Sequence, residues 1–155
     1  MAREQQAELA RKNLERRLGP LRELSLARPR GGWIRALRDA LGMTSRQLAR
    51  RMGVVQSRVV ALEKAEANGA TTLKSLREAA EALDCRLVYA LVPTRPLDDI
   101  VRDRARSKAF DQQASIAHGM LLENQSLTVD QTQEEIERLT AEILAEPLRH
   151  LWDDE

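Results

Sequence analysis

The sequence predicts a mainly α-helical protein with one short strand and a helical C-terminal extension. Three observations carry that expectation. Apolar residues recur at three- and four-residue spacing through most of the chain, which is the helical period. Two capping signals, Thr44 with Gln47 and Thr128 with Gln131, sit just ahead of such stretches. Only CRLVYALV, Cys85 to Val92, is dense in Val, Leu and Tyr, and Pro93 stops it.

Residues 2–18 lack proline and carry Leu14 and Leu18 at helical spacing, continued by Leu21 and Leu24; Gly19-Pro20 breaks the run. Arg3, Arg11, Lys12, Arg16, Arg17 and Arg22 make this arm basic, so it either packs by its leucines or lies along a polyanion. Ala27 to Gly32 is a linker by its Pro and Gly content. Trp33, Ile34, Leu37 and Leu41 then form the expected inner stripe of a helix that Gly42 ends, with Trp33 read as a core anchor.

Thr44 offers an N-cap oxygen and Gln47 stands three residues on, so a helix should run from Ser45 to Met52. Gly53 takes the left-handed turn at least cost, and a second helix restarts near Gln56. Leu48, Ala49 and Met52 on the first helix, and Val59, Leu62 and Val55 on the second, make the facing stripes. Gln56, Ser57, Arg58 and Ala61 are left pointing outward. That is how a helix-turn-helix sets the leading end of its recognition helix against base edges in a major groove. Downstream, Asn68-Gly69 marks a loop, Thr71 or Thr72 caps a helix with Leu73, Leu76, Ala79, Ala80 and Leu83 inward, and Asp84 closes it.

On these residues the segment from Trp33 to Leu91 resembles the phage repressor and Cro-type (XRE) helix-turn-helix domain. The resemblance is carried by LRDALGMTSRQLARRMGVVQSRVVALEKAEANG and TLKSLREAAEALD. Two positions depart from the pattern: Ser45 stands where many members have a bracing Gln, and Val55 where Ser or Thr is usual. The whole chain is similar to the family called mobile mystery protein A, through GWIRALRDALGM, CRLVYALVP and a long acidic tail. That resemblance implies a five-helix repressor-like domain and an antitoxin-like regulator that travels with a Fic-domain partner.

The organisation expected is a basic N-terminal arm over 1–26, the helix-turn-helix domain over 27–84, a dimerisation strand over 85–93, and an acidic helical extension over 94–155. A lone strand leaves its backbone groups unpaired. Cys85 to Val92 is therefore expected to pair with a second copy through Leu87, Val88, Tyr89 and Leu91. The DNA contacts expected are Thr44, Ser45, Arg46, Val55, Gln56, Ser57, Arg58, Ala61 and Lys64.

The net charge of +1 conceals a reversal along the chain: residues 1–60 carry +9 and residues 111–155 carry −9. Two partners follow, a polyanion for the front and a basic surface for the back, unless both are merely solvated faces. For the back, GMLLEN, Gly119 to Asn124, supplies Glu123 and Asn124 of the inhibitory pattern seen with Fic-type adenylyltransferases, with Gly119 where a hydroxyl belongs. Glu123 would then pair with the arginine that holds the ATP γ-phosphate, whereas the competing reading is an ordinary helix end. Leu148, Leu151 and Trp152 form an apolar end that either docks on the protein itself or on a partner.

Catalysis finds no constellation: His118 and His150 are isolated, and no HExxH, GxxxxGK or GxSxG occurs. Neither a cofactor motif nor a metal-ligand spacing is present, and Cys85 is the sole cysteine, which excludes an internal disulfide. No segment approaches the roughly 20 apolar residues that cross a bilayer. The sequence thus predicts a cytoplasmic binding protein, not an enzyme.

Overall fold

The computed structural model describes residues 2–122 and 128–153, with side chains at 2 and 120–122 left aside. Among the described residues there are seven α-helices and no strand: α1 Ala2–Leu18, α2 Trp33–Ala40, α3 Ser45–Met52, α4 Gln56–Ala67, α5 Leu73–Ala82, α6 Leu97–Leu122 and α7 Val129–Ala145. Short 3-10 turns cover Gly19–Leu21 and Leu148–Leu151. The chain divides into two compact units, one of residues 25–90 and one of residues 1–24 with 91–155.

The 25–90 unit packs α2 to α5 around Ile34, Leu48, Ala49, Val59, Ala79 and Leu83, with Met43, Met52, Val54, Leu62 and Leu76 against them. Buried charge fastens it. Glu66, 5% exposed, accepts from the Trp33 and Ile34 N–H groups at 2.8 and 3.0 Å, so a carboxylate from α4 caps the start of α2. Gly32 precedes them at φ +85°, and a Cβ there would lie 2.6 Å from Glu66 Oε2. The Arg28 guanidinium in turn donates to the Glu66 and Ala67 carbonyls at the end of α4. Arg38 clamps Glu63 at 2.6 and 3.3 Å and also donates to the Met43 carbonyl, joining α2, α4 and the turn between α2 and α3. That hydrogen bond to Glu63 raises the Arg38 pKa further above its ordinary value.

Three expectations are corrected here. The 25–90 unit has four helices rather than the five expected, because the chain after the left-handed Asp84 (φ 55°) does not coil again before Leu97. Cys85 to Val92 is not a strand: strand pairing needs a ladder partner, and the described chain provides none. On α2 only Ile34 is buried; Trp33 is 43% exposed, and Leu37 and Leu41 are also exposed. Ile34 is the α2 residue that joins the core, and the Glu66 carboxylate holds its N–H.

In the other unit, α1 meets α6 through Arg11 Nε and Asp98 Oδ1 at 2.6 Å. Glu15 accepts from the Arg22 guanidinium at 2.7 Å and from the Leu97 N–H at 3.4 Å. Helices α6 and α7 form a hairpin on Ala105, Ala109, Gln113 and Ile136. Thr128 and Gln131 make the reciprocal capping box at the start of α7. The C-terminal turn docks on α6: Leu151 is buried, Arg104 donates to its carbonyl, and Lys108 donates to the His150 and Asp153 carbonyls. Of the three apolar residues at that end, Leu151 docks on the protein itself while Trp152 is 52% exposed. No helix among the described residues is long and apolar enough to cross a membrane.

Candidate nucleic-acid interface

The site is the pair α3 and α4 with the turn between them. Thr44 caps α3 in a full capping box: its backbone N–H donates to Gln47 Oε1 at 2.7 Å, and Gln47 N–H donates to Thr44 Oγ1 at 3.2 Å. Gly53 is left-handed at φ 68°, and its N–H closes on the Ala49 and Arg50 carbonyls. Val54 then turns inward, its N–H bonded to the Ala49 carbonyl at 2.9 Å. Val55 is the extended residue that starts α4, at φ −75° and ψ 152°, with no side-chain cap because valine has no hydroxyl.

Which residues face out follows from that frame. Val59 is fully buried and Leu62 packs on the same core, so the opposite side of α4 is set free. Gln56, Ser57, Arg58, Ala61 and Lys64 are all exposed, as are Thr44 and Arg46, while Ser45 is half-buried. Val55 does not join the inner stripe as expected. It is 69% exposed, because Val54 takes the inward place after the turn. The two leading ends are brought together directly, since Gln56 Nε2 donates to Ser45 Oγ at 2.9 Å. The serine that replaces a bracing glutamine therefore still braces α4, at shorter reach.

Arg46, Arg50, Arg58 and Lys64 make no ion pair among the described residues, whereas Arg51 is engaged by Asp84 at 2.7 Å. Four such cations, Arg46 and Arg58 in the first turns of α3 and α4 and Arg50 and Lys64 in their last turns, suit a polyanion. Sequence reasoning missed the anchors behind this face, Glu63 and Glu66. Their signal was present: counted from Val59 they fall at i+4 and i+7, on the buried stripe of α4. Of the other predicted residues, Val88, Tyr89 and Leu91 are exposed at 76, 66 and 88%, and Leu87 is half-buried. Glu123 and Asn124 lie outside the described residues.

Residues 34–89, just over a third of the chain, match the helix-turn-helix family model. Over that span the chain is similar to helix-turn-helix domains, the class of fold that presents a helix to DNA. Comparison with curated proteins and with solved structures gives no match. None of the comparisons supports the narrower likeness to mobile mystery protein A.

Proposed function

We propose that this chain is a sequence-specific transcriptional regulator, an antitoxin-like autorepressor that acts as a homodimer on an inverted repeat. The observation that supports it most is the Gln56–Ser45 bond at the exposed leading end of α4. An amide has two N–H donors and one carbonyl acceptor. With one N–H spent on Ser45, the other N–H and the carbonyl remain, the pair that adenine N7 and N6 require in the major groove. In this reading Arg58 reaches guanine or a phosphate, Ser57 bonds either, and Val55 meets a thymine methyl. Thr44, Arg46 and Lys64 contact phosphates, which fix position without carrying sequence information. Ala61 leaves room for close approach.

Two such ends read half-sites about 34 Å apart when two copies pair, and the exposed run through Leu87, Val88, Tyr89 and Leu91 supplies the dimer contact. The test is quantitative footprinting on the DNA immediately upstream of the chain's own coding sequence. Gln56→Ala is expected to lose on the order of 1–3 kcal/mol of specific affinity and relax preference at one base pair per half-site. Ser45→Ala, which only frees the amide, should lose less, about 1 kcal/mol. Unchanged protection by Gln56→Ala at constant salt would falsify the assignment.

The charge reversal favours a basic partner surface for residues 97–155, and an antitoxin would use it to silence a Fic-domain adenylyltransferase. Capture of such an enzyme by the full chain, lost in Glu123→Arg, is the expected result; capture that survives that change removes Glu123 from the interface.

A further inference from the structure

The 25–90 unit holds an apolar groove of about 330 Å³ that the DNA face does not use. Its floor is Ile34, Leu76, Ala80 and Leu83, and its rim includes the exposed Leu26, Trp33 and Val88. The one carboxylate in it, Glu66, is already spent on the Trp33 and Ile34 N–H groups. Small-ligand sites combine such walls with a few converging polar groups that orient the ligand; here the remaining polar groups are the Arg86 guanidinium and the Trp33 indole N–H, on a lining that is otherwise apolar.

Its far wall is formed by Cys85 to Val88, the start of the run that was expected to be a strand. From there the chain carries Tyr89 and Leu91 out into solvent. Among the described residues, the backbone of 86–92 makes no hydrogen bond. Each copy therefore carries an unfilled apolar groove and, beside it, an apolar projection with open backbone donors and acceptors. A surface that contains both halves of a contact is the requirement for a two-fold, isologous interface. Contiguous exposed apolar surface of this kind on a soluble chain marks an interaction site.

From this we infer that the groove between α2 and α5 receives Tyr89 of a second copy, beside the Cys85 that lines the groove, in a two-fold exchange. The inference deepens the dimeric reading above and rests on it for the symmetry alone. Tyr89 is two-thirds exposed within its own chain, so changing it leaves the fold intact.

Sedimentation of the full chain at micromolar concentration should give a dimer. Tyr89→Asp should weaken that dimer about tenfold or more, because a charge would enter an apolar groove, with thermal unfolding of the dissociated chain unchanged. The single cysteine gives a second readout. Under oxidation, Tyr89→Cys should yield a covalent dimer through Cys85 of the other copy, and the same variant carrying Cys85→Ala should not.

A dimer that survives Tyr89→Asp overturns the inference, as does a cross-link that persists without Cys85. A monomeric chain overturns it too. If in a Trp152→Phe background anilinonaphthalene sulfonate then shifts the emission of Trp33, the groove belongs to a small apolar ligand. The footprint reports separately on DNA binding: a monomer that still protects DNA leaves the regulator standing without the groove contact, and a dimer that protects none does the reverse.

Discussion

In the unit of residues 25–90, Glu63 and Glu66 are buried and both are fully employed, one gripped by Arg38 and the other capping α2. In the unit of residues 1–24 and 91–155, Gln113 is 3% exposed and neither its Nε2 nor its Oε1 has a hydrogen-bond partner among the described residues. The contrast separates two uses of buried polarity. A satisfied buried network fixes the orientation of its helices, and the four helices that hold Gln56 outward need such fixing. An unsatisfied buried amide lowers the stability of its surroundings, because the open chain would hydrate it. The first unit holds its buried polar groups in one geometry; the second, which contains the α6–α7 hairpin, is expected to open more readily around Gln113.

The sharpest way to break that comparison is to remove the cap. Glu66→Ala strips the acceptor from two N–H groups at the start of α2 and should cost about 3 kcal/mol, read in a Trp152→Phe background as a lowered urea midpoint of the transition reported by Trp33. Gly32→Ala tests the same contact from the other side, forcing a side chain into φ +85° and against Glu66 Oε2. A loss of the same order is expected. If neither variant moves the midpoint, the buried carboxylate is not what orients α2.

How much of this was legible in the sequence depends on the range of the interactions. Thr44, Gln47 and Gly53 act within one turn of chain, and α3 begins and ends where they place it. The outward set Gln56, Ser57, Arg58 and Ala61 is legible for the same reason, since Val59 and Leu62, three positions apart, set the phase of α4. The exposure of Trp33 is not legible, because the placement of α2 depends on contacts with α4 such as Glu66, more than thirty positions away in the sequence. Cys85 to Val92 has strand composition without strand structure, since β pairing belongs to two segments and composition describes only one. The Ser45–Gln56 bond spans two helices, and the sequence showed only that a longer brace was missing.

Filling the contrast from the other side gives a smaller effect of opposite sign. Gln113→Leu replaces an amide that has no partner with an apolar group of similar size, and should stabilise its unit by about 1 kcal/mol. Hydrogen exchange along Val129–Ala145 should slow accordingly, while exchange in Gln56–Ala67 stays as it was. A destabilised variant would mean that the amide is satisfied in solution, by buried water for instance, and the two units would then handle buried polarity alike.

The smallest expected effect is an acid dependence confined to the unit that contains Glu15. Its carboxyl is held below the usual carboxylate range, first by the hydrogen bond from Arg22, against some opposition from burial, and then by the Leu97 N–H. A depressed pKa in the folded state means that, as pH falls, the unfolded chain takes up the proton first. The contribution of Glu15 is therefore fully present above the unfolded value, near pH ~4.3, and disappears as pH falls through the lower folded value. Wild type and Glu15→Gln should differ most in stability at neutral pH and converge in acid. The gap will be modest, since both partners of the pair remain partly exposed to solvent. The urea midpoint of Trp33 should show no such convergence, because Glu15 and its partners belong to the other unit. A gap that widens in acid would reverse the sign of the linkage and remove the Arg22 contact as its cause.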